Sequence, residues 1–398
     1  MKNPRDDQIL PLELLIEIFS WLPVKTLMQF ACVSKSLKSL IFDDPSFAKL
    51  HLNRSPKSTH ILLNTEDDPY KFENEDSWVV PCSVRCLMED PSSVIDVEGC
   101  YHLKGNHLVI DSCNGLVCLG NFYDVGPIED FWVQLWNPAT HLMSKKSPTF
   151  HLSMRTSVDA PQGKVNLGFG YDSSHDTYKV VVVHWDCTEQ KMMTRVSCMK
   201  NICCKNILCD PCSPLMLYPI MGQFVGGCVN WIALKNMNGP EYEWDNVTRE
   251  QLAIVSFDMS KEKYTYRPLP EGVTKVPHFE PSLEVLENHM YLSHDHNMTH
   301  FVMWKMREYG VQESWTRWLS IRYEHIRCDN LFFKPVPMFL SEDGDILLLV
   351  KTEDLEFIKY NIRDNNAEYI PNLNHEFWLQ AFGYVQSMVS PCQDKEDG

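Results

Sequence analysis

The chain contains 398 residues, with 53 acidic and 36 basic side chains, a formal net charge of −17 and 15 cysteines. An apolar content of 44% and an aromatic content of 11% are enough for a large core and exclude a disordered chain, and the length predicts one small domain with one large β body, or two to three domains. The acidic balance argues against a protein that binds nucleic-acid phosphates, and no apolar run approaches the ~20 residues that span a membrane.

The first predicted element is a helix over residues 12–22. Pro11 suits its first turn, because the missing N–H has no partner at that position in any helix. Glu13, Glu17 and Ser20 are the only polar residues of this segment, and at about 100° per residue they form one narrow stripe. The apolar arc is therefore about 300° wide, against about 100° for an ordinary surface helix. Part of this arc must pack against a second body, either the rest of this chain or another protein.

Two further short helices are predicted before residue 52. Pro23 ends the first helix, because the residue before a proline is pushed out of the α region. A second helix follows over residues 24–33. Ser34 can cap a third helix, and the sequence Asp43-Asp44-Pro45 ends it. Residues 1–52 are thus predicted to form a small three-helix domain.

Residues 8–52 resemble the F-box of plant F-box proteins in the order and spacing of four motifs. These are Leu10-Pro11-Leu12-Glu13-Leu14, Leu22-Pro23-Val24-Lys25-Thr26-Leu27, Cys32-Val33-Ser34-Lys35-Ser36-Leu37 and Asp44-Pro45-Ser46-Phe47. Ser34, Leu37 and Gln29 depart from the usual Cys, Trp and Arg, and we expect these changes to tune affinity. The resemblance implies that residues 1–52 bind a Skp-type adaptor and, through it, a cullin–RING ubiquitin ligase. The adaptor-binding residues on this interpretation are Leu10, Pro11, Leu14, Ile18, Phe19, Pro23, Val24, Leu27 and Val33.

After residue 52 the pattern changes from helical to short β-rich runs that alternate with turn signals. A turn residue followed by an apolar strand recurs at Gly115, Gly227, Asn288 and Gly344, which lie 112, 61 and 56 residues apart. This period of about 56 residues predicts stacked four-stranded blades, that is, an all-β, six-bladed β-propeller-like domain. We expect the sixth blade to be shared between residues 57–105 and the C-terminus. A large β-sandwich is the alternative.

Several motifs of this β region are similar to the type 1/kelch-like F-box-associated domain of plant F-box proteins. They are Ser112-Cys113-Asn114-Gly115-Leu116, Trp136-Asn137-Pro138-Ala139-Thr140, Gly168-Phe169-Gly170-Tyr171-Asp172, Tyr178-Lys179-Val180, Val229-Asn230-Trp231, Ser256-Phe257-Asp258 and Glu313-Ser314-Trp315-Thr316. The predicted organisation is an F-box over residues 1–52 and a linker with a first, poorly marked β unit over residues 53–105. The F-box-associated domain follows over residues 106–390, and residues 391–398 form a flexible acidic tail.

Two groups of residues have the composition of metal sites. Cys209 and Cys212 have a zinc-like spacing, with Cys203 and Cys204 close by, but no second pair of that spacing follows and Asp210-Pro211 is a turn sequence. His294, His296 and His300 are better explained by a solvated hairpin. The chain has no nucleotide-binding or hydrolase motif. We therefore predict no catalytic residue, no metal and no cofactor.

The combined patterns predict a non-catalytic substrate-recognition subunit of an SCF-type ubiquitin ligase. The N-terminal domain would bind the adaptor and the β domain a target protein for degradation, with no nucleic acid or membrane as partner. The alternatives are a propeller enzyme or small-molecule sensor with a helical arm, and an F-box scaffold outside any ligase. The apolar run broken by Glu13 and Glu17 is a poor signal peptide, so we expect reduced thiols and a location in the cytoplasm, the nucleus or both.

The acidic charge is concentrated in the β region. Residues 1–55 carry seven basic and six acidic side chains, so the remainder has a net charge of −18. One loop, residues 236–249, contains Glu241, Glu243 and Asp245. This distribution favours a basic target protein over an acidic one.

Overall fold

The architecture described here is that of a computed structural model of the chain. The residues that it describes are 10–55, 60–66, 77–90, 101–103, 107–125, 128–153, 165–189, 191–200, 203–208, 215–217, 221–235, 241–327, 335–351, 356–370 and 378–391. The predicted acidic tail lies, apart from Pro391, outside the described residues. Cys209 and Cys212 also lie outside them.

The N-terminal domain consists of four helices, of which the first three form where the sequence predicts them. The helices are α1 (Leu12–Phe19), α2 (Val24–Ala31), α3 (Lys35–Asp43) and α4 (Pro45–Arg54). The Ser34 hydroxyl caps α3 by accepting the Leu37 N–H at 3.2 Å. The Asp44 carboxylate caps α4, accepting the Ser46 N–H at 2.8 Å. Helix α4 is an addition to the three predicted helices, and it forms because Pro45 suits a first helical position directly after an aspartate cap.

The β region begins with blades 1 to 3. Blade 1 contains β1 (His60–Glu66), β2 (Ser77–Ser83) and β3 (Tyr101–Leu103), with helix α5 (Val84–Glu89) after β2. Blade 2 contains β4 (Leu108–Cys113), β5 (Leu116–Val125), β6 (Ile128–Asn137), β7 (Leu142–Met143) and β8 (Phe150–Ser153). Blade 3 contains β9 (Val165–Asp172), β10 (Thr177–Asp186), β11 (Lys191–Cys198) and β12 (Cys203–Leu208).

Blades 4 to 6 repeat the same antiparallel arrangement. Blade 4 contains β13 (Leu215–Met216), β14 (Gln223–Val225), β15 (Cys228–Leu234), β16 (Leu252–Asp258) and β17 (Lys263–Pro268). Blade 5 contains β18 (Ser282–Leu286), β19 (His289–His296), β20 (His300–Met306) and β21 (Trp315–Arg322). Blade 6 contains β22 (Pro335–Leu340), β23 (Ile346–Lys351), β24 (Phe357–Asn361) and β25 (Asn366–Ile370), and a last strand, β26 (Trp378–Tyr384), returns to blade 1. Single 3₁₀ turns occur at Trp244–Asn246, Gln312–Ser314 and Tyr323–Ile326.

The six sheets close into a ring, which confirms the predicted six-bladed propeller and excludes the sandwich. Each innermost strand contacts the next in the order β26, β4, β9, β14, β18 and β22, and β22 contacts β26 again. Strand β26 pairs with β1, with Tyr384 opposite His60. The C-terminal strand thus completes the blade that the first β unit begins, as the sequence predicts. Closure of the ring leaves only short strand edges to be protected.

The core of the propeller lies between the blades. Each of the six interfaces between neighbouring blades holds its own buried apolar cluster within the described residues. Strand β10 illustrates how one strand serves two interfaces. Val180 and Val182 pack against blade 2, whereas Val181 and Val183 pack against blade 4, because successive side chains of a strand point to opposite faces.

Residues 385–391, which we call the C-terminal strap, leave β26 and cross beneath the first blades. The side-chain amide of Asn137 donates to the carbonyl oxygens of Ser387 and Val389 at 3.0 and 2.8 Å. The Ser387 hydroxyl donates to the Asn114 carbonyl at 2.7 Å. Two of the motifs that resemble the F-box-associated domain, at residues 112–116 and 136–140, therefore hold the strap in place.

We expect the replacement of Gly115 by alanine to destabilise the propeller by about 3 kcal/mol, combining backbone strain with a steric clash. Gly115 has a φ of +80°, and a Cβ atom there would lie 2.2 Å from the Ser387 hydroxyl oxygen and 2.7 Å from the Val385 carbonyl oxygen. Chemical denaturation of the full chain measures the loss. Gly344→Ala is the control, because Gly344 has a φ of +75° with nothing within 4 Å and should lose only about 1 kcal/mol. Equal losses in the two variants would show that the strap does not pack closely on Gly115.

Candidate partner-binding surface

Helix α1 and its neighbours present large apolar side chains to solvent. We call this set the apolar face, and its members are Leu10 (49% exposed), Leu12 (57%), Leu14 (49%), Ile18 (48%), Trp21 (64%), Phe30 (37%) and Val33 (72%). These exposures are measured in the presence of the propeller. Within the described residues the propeller therefore does not cover the face, and this part of the predicted apolar arc is left exposed.

The opposite side of the same helices forms the domain's own core. Phe19 is 6% exposed, Val24 is 4% exposed and Leu27 is fully buried. Phe19 stacks on Phe30 with ring centroids 5.0 Å apart, so a buried ring supports a ring of the apolar face. Because core packing fixes the rotamers beneath it, the exposed face is presented as a preformed surface.

The predicted adaptor-binding residues divide into two groups in the structure. Leu10, Pro11, Leu14, Ile18, Pro23 and Val33 are exposed. Phe19, Val24 and Leu27 are buried in the helical core, where they support the surface from beneath. Their assignment as contact residues stays a prediction.

Three members of the apolar face were absent from the predicted set, namely Leu12, Trp21 and Phe30. The signal for Leu12 and Trp21 was available, because both belong to the 300° apolar arc of the first predicted helix. Sequence spacing alone does not distinguish which part of so wide an arc faces the core.

A polar group borders the apolar face and fixes the position of Trp21. Arg54 pairs with the Glu17 carboxylate at 2.9 Å, and its guanidinium lies 5.0 Å from the centre of the Trp21 ring. The hydrogen bond from Arg54 holds the pKa of Glu17 below its usual range, so the Glu17 carboxylate is charged at neutral pH. Arg54 also donates to the Ser20 hydroxyl. The guanidinium therefore holds the end of α1 against α4.

His51 joins α4 to the end of α1. Its ring Nε2 donates to the carbonyl of Leu22 at 2.9 Å, and the side chain is 2% exposed. Burial lowers the pKa of His51, so at neutral pH the ring is an uncharged donor. This bond satisfies a carbonyl that lies just before Pro23, at the turn between α1 and α2.

The helical domain is fixed to the propeller on the side away from the apolar face. Met388 of the C-terminal strap is 3% exposed and belongs to the buried cluster of the four helices. Lys49 of α4 pairs with Asp176 of the β9–β10 turn at 2.8 Å. The strap that follows the ring-closing strand β26 therefore also packs into the core of the helical domain.

The other candidate sites gain no support. Among the described residues, no three His, Cys, Asp or Glu side chains come together as a metal site. Both ring nitrogens of His294 are occupied, by the Asp295 carbonyl at 2.7 Å and by the Trp304 indole N–H at 3.2 Å. In the part of the chain that the structure describes, no helix is long and apolar enough to cross a membrane.

The comparison with protein families agrees with the helical domain. A family model described as F-box domain matches residues 8–49, the segment that carries the apolar face. The chain is an F-box protein. This F-box protein is 27% identical over 388 residues to an F-box/kelch-repeat protein of Arabidopsis thaliana, a match that covers 96% of each chain. It is 24% identical to the F-box protein CPR1 of the same plant, over 85% of this chain and 79% of that protein.

The similarity to solved structures is weaker. The β-propeller domain of the trilobed protease from Pyrococcus furiosus aligns over 81% of each chain, at 7% identity and a TM-score of 0.41. The blade assignment of this F-box protein therefore rests on its own strand pairing.

Proposed function

We propose that this F-box protein is the substrate-recognition subunit of an SCF-type, cullin–RING ubiquitin ligase. The F-box would bind a Skp-type adaptor, and the propeller would hold a target protein for ubiquitination and degradation. The observation that supports the proposal best is the apolar face, which the described residues leave exposed and which lies within the segment that matches the F-box model. An exposed apolar surface of this kind is typical of a protein interface.

The contribution of such a subunit is proximity rather than bond chemistry. Holding a target next to the ubiquitin-charged enzyme turns an encounter between two proteins into an effectively local reaction. A fixed contact between the two domains serves this role, and Met388 and the Lys49–Asp176 pair are contacts of this kind here. The protein would act in the cytoplasm, the nucleus or both.

In a pull-down with a Skp-type adaptor, we expect the double variant Pro11→Ala, Leu14→Ala to bind at least tenfold more weakly than the wild type. Both residues are exposed members or neighbours of the apolar face, and truncation of anchor residues at an interface typically costs more than 1 kcal/mol each. The matched control is Pro45→Ala with Leu142→Ala, a proline and a leucine that are also exposed but lie outside the face. If the first variant binds as well as the wild type, the proposed interface is wrong.

A second experiment separates the ligase subunit from its alternatives. A ligase subunit co-purifies with the cullin as well as with the adaptor, whereas a bare scaffold co-purifies with the adaptor alone. A propeller enzyme or sensor binds neither. Affinity purification with the proteasome blocked would then enrich the targets of a ligase subunit.

A further inference from the structure

The face of the propeller opposite the F-box is available to a partner. The F-box contacts the hairpin turns that join first to second strands, such as the β9–β10 turn with Asp176. The opposite face carries the loops between second and third strands and the connections from one blade to the next. At blades 4 and 5 these are the loop that precedes β16, described over residues 241–251, and the connection over residues 269–281.

Side-chain hydrogen bonds fasten these two loops together. The Trp244 indole N–H donates to the Pro277 carbonyl at 3.0 Å, and the Arg249 guanidinium donates to the Val273 carbonyl at 2.6 Å. The Tyr242 hydroxyl donates to the Glu280 carboxylate. These hydrogen bonds join the two loops into one continuous surface, which we call the ledge.

The ledge carries a concentration of exposed carboxylates. We call this set the acidic ledge, and its members are Glu241, Glu243, Asp245, Glu250 and Glu271. Arg249 is occupied by its bond to the neighbouring loop. Charges of one sign on a defined surface attract a partner of the opposite sign at long range.

A cavity of about 410 Å³ adjoins the ledge, between residues 272–278 and the β19–β20 hairpin at residues 294–298. Asp295 lines it and is 5% exposed. One carboxylate oxygen of Asp295 accepts the Met298 N–H at 3.1 Å. The other oxygen is buried and has no hydrogen-bond partner among the described residues. A buried carboxylate oxygen without a donor is a costly arrangement that a bound cationic group would relieve.

The groups around Asp295 do not supply that cation. Burial lowers the pKa of His294, and both of its nitrogens are already occupied, so it is neutral at pH 7. His278 and His296 are exposed and line the cavity. Lys275 is exposed and lines the cavity, but no ion pair within the described residues joins it to Asp295.

We propose that the cavity and the acidic ledge together dock a basic segment of the target protein. An arginine or lysine side chain of the target enters the cavity toward Asp295, and further basic residues lie along the ledge. The inference rests on the proposed function, because it takes the propeller to hold a target protein. It adds that the target is basic and binds the face away from the F-box. Charge-assisted hydrogen bonds to a partly desolvated carboxylate supply the specificity.

The probe that tests this is a fluorescein-labelled peptide with four arginines separated by Gly-Ser, compared with the same peptide carrying glutamine at those four positions. Binding to the full chain is measured by fluorescence anisotropy at low and at moderate salt. We expect the arginine peptide to bind, more tightly at low salt, and the glutamine peptide to bind at least tenfold more weakly. Equal binding of the two peptides overturns the proposal.

Variants locate the site. Asp295→Asn removes the charge but keeps an acceptor for the Met298 N–H, and we expect it to weaken peptide binding at least tenfold. The triple variant Glu241→Gln, Glu243→Gln, Asp245→Asn should do the same, and Lys275→Gln should bind more tightly than the wild type. The matched control is Glu308→Gln, Glu342→Gln, Asp364→Asn, three exposed acids in hairpin turns on the F-box side, which should change binding less than twofold.

The outcomes separate this inference from the proposed function. If the control triple weakens binding as much as the ledge triple, the attraction is that of the whole acidic chain and the site does not exist. If Asp295→Asn alone has no effect, the cavity has no part in binding. All of these variants should bind the adaptor as well as the wild type does. If the wild type itself does not bind the adaptor, the proposed function is contradicted, but the peptide result still stands.

Discussion

Lys179→Met should lower the free energy of unfolding by about 3–5 kcal/mol, the usual result of removing one partner from a buried ion pair. The Lys179 ammonium lies 2.9 Å from the Asp172 carboxylate, 2.9 Å from that of Glu262 and 2.6 Å from the Met259 carbonyl. Lys179 is 5% exposed and Asp172 is 1% exposed. Methionine fills the space of the lysine stem but removes the buried ammonium that lies between the Asp172 and Glu262 carboxylates. Urea denaturation of the full chain measures the loss.

The control for this prediction is Lys205, which lies beside the Glu262 carboxylate. The Lys205 ammonium is 3.9 Å from the Glu262 carboxylate, with 64% of its side chain exposed. Lys205→Met should therefore cost less than about 1 kcal/mol, since exposed ion pairs contribute little. Similar losses in the two variants would show that burial of the Lys179 cluster is unimportant for stability.

The loss caused by Lys179→Met should also depend on pH. Burial by itself would raise the pKa of Asp172, but the hydrogen bonds from Ser174, Ser260 and Lys179 outweigh it and hold that pKa well below its usual range. A carboxyl group with a lowered pKa stabilises the fold above the ordinary carboxyl pKa of about 4 and loses this effect as the pH falls. The difference between variant and wild type should be constant near neutral pH and shrink below about pH 4.

Met388→Ala should loosen the joint between the F-box and the propeller, at a cost of about 2–5 kcal/mol to the helical core. Met388 is 3% exposed among the buried side chains of the four helices, although it comes from the C-terminal strap. Hydrogen exchange is the measurement, because it resolves the two domains. We expect faster exchange in α3 and α4, around Ile41 and Phe47, and unchanged exchange in blade 6.

Two further variants test the packing explanation for Met388. Met388→Leu keeps the volume and should cost less than about 1.5 kcal/mol. Met298→Ala removes a methionine that is 50% exposed, so exchange in the helices should not change. If Met388→Ala leaves α3 and α4 as protected as in the wild type, the strap does not support the F-box.

The roles of the repeated motifs could not be inferred from their spacing. Lys179 belongs to the segment Tyr178-Lys179-Val180 and Asp172 to the segment that starts at Gly168, and both were recognised only as part of a family resemblance. The structure shows what they do, because Lys179 on blade 3 reaches the turn after β16 on blade 4. Asn137 and Gly115 similarly serve the C-terminal strap, more than 200 residues away along the chain. Contacts between residues so far apart leave no periodic signal in a single sequence.

What the sequence by itself determined is local and periodic. Helix caps, prolines and the interval of about 56 residues predicted the N-terminal helices, the strands and the six blades, because these features depend on neighbours within one turn or one hairpin. Only the tertiary structure decided which part of the wide apolar arc of α1 is core and which is free. It alone showed that Met388 fills the helical core and that Asp295 is buried beside the acidic ledge, with one oxygen that has no hydrogen-bond partner among the described residues. Burial is set by how distant segments pack, and that is determined when the ring closes.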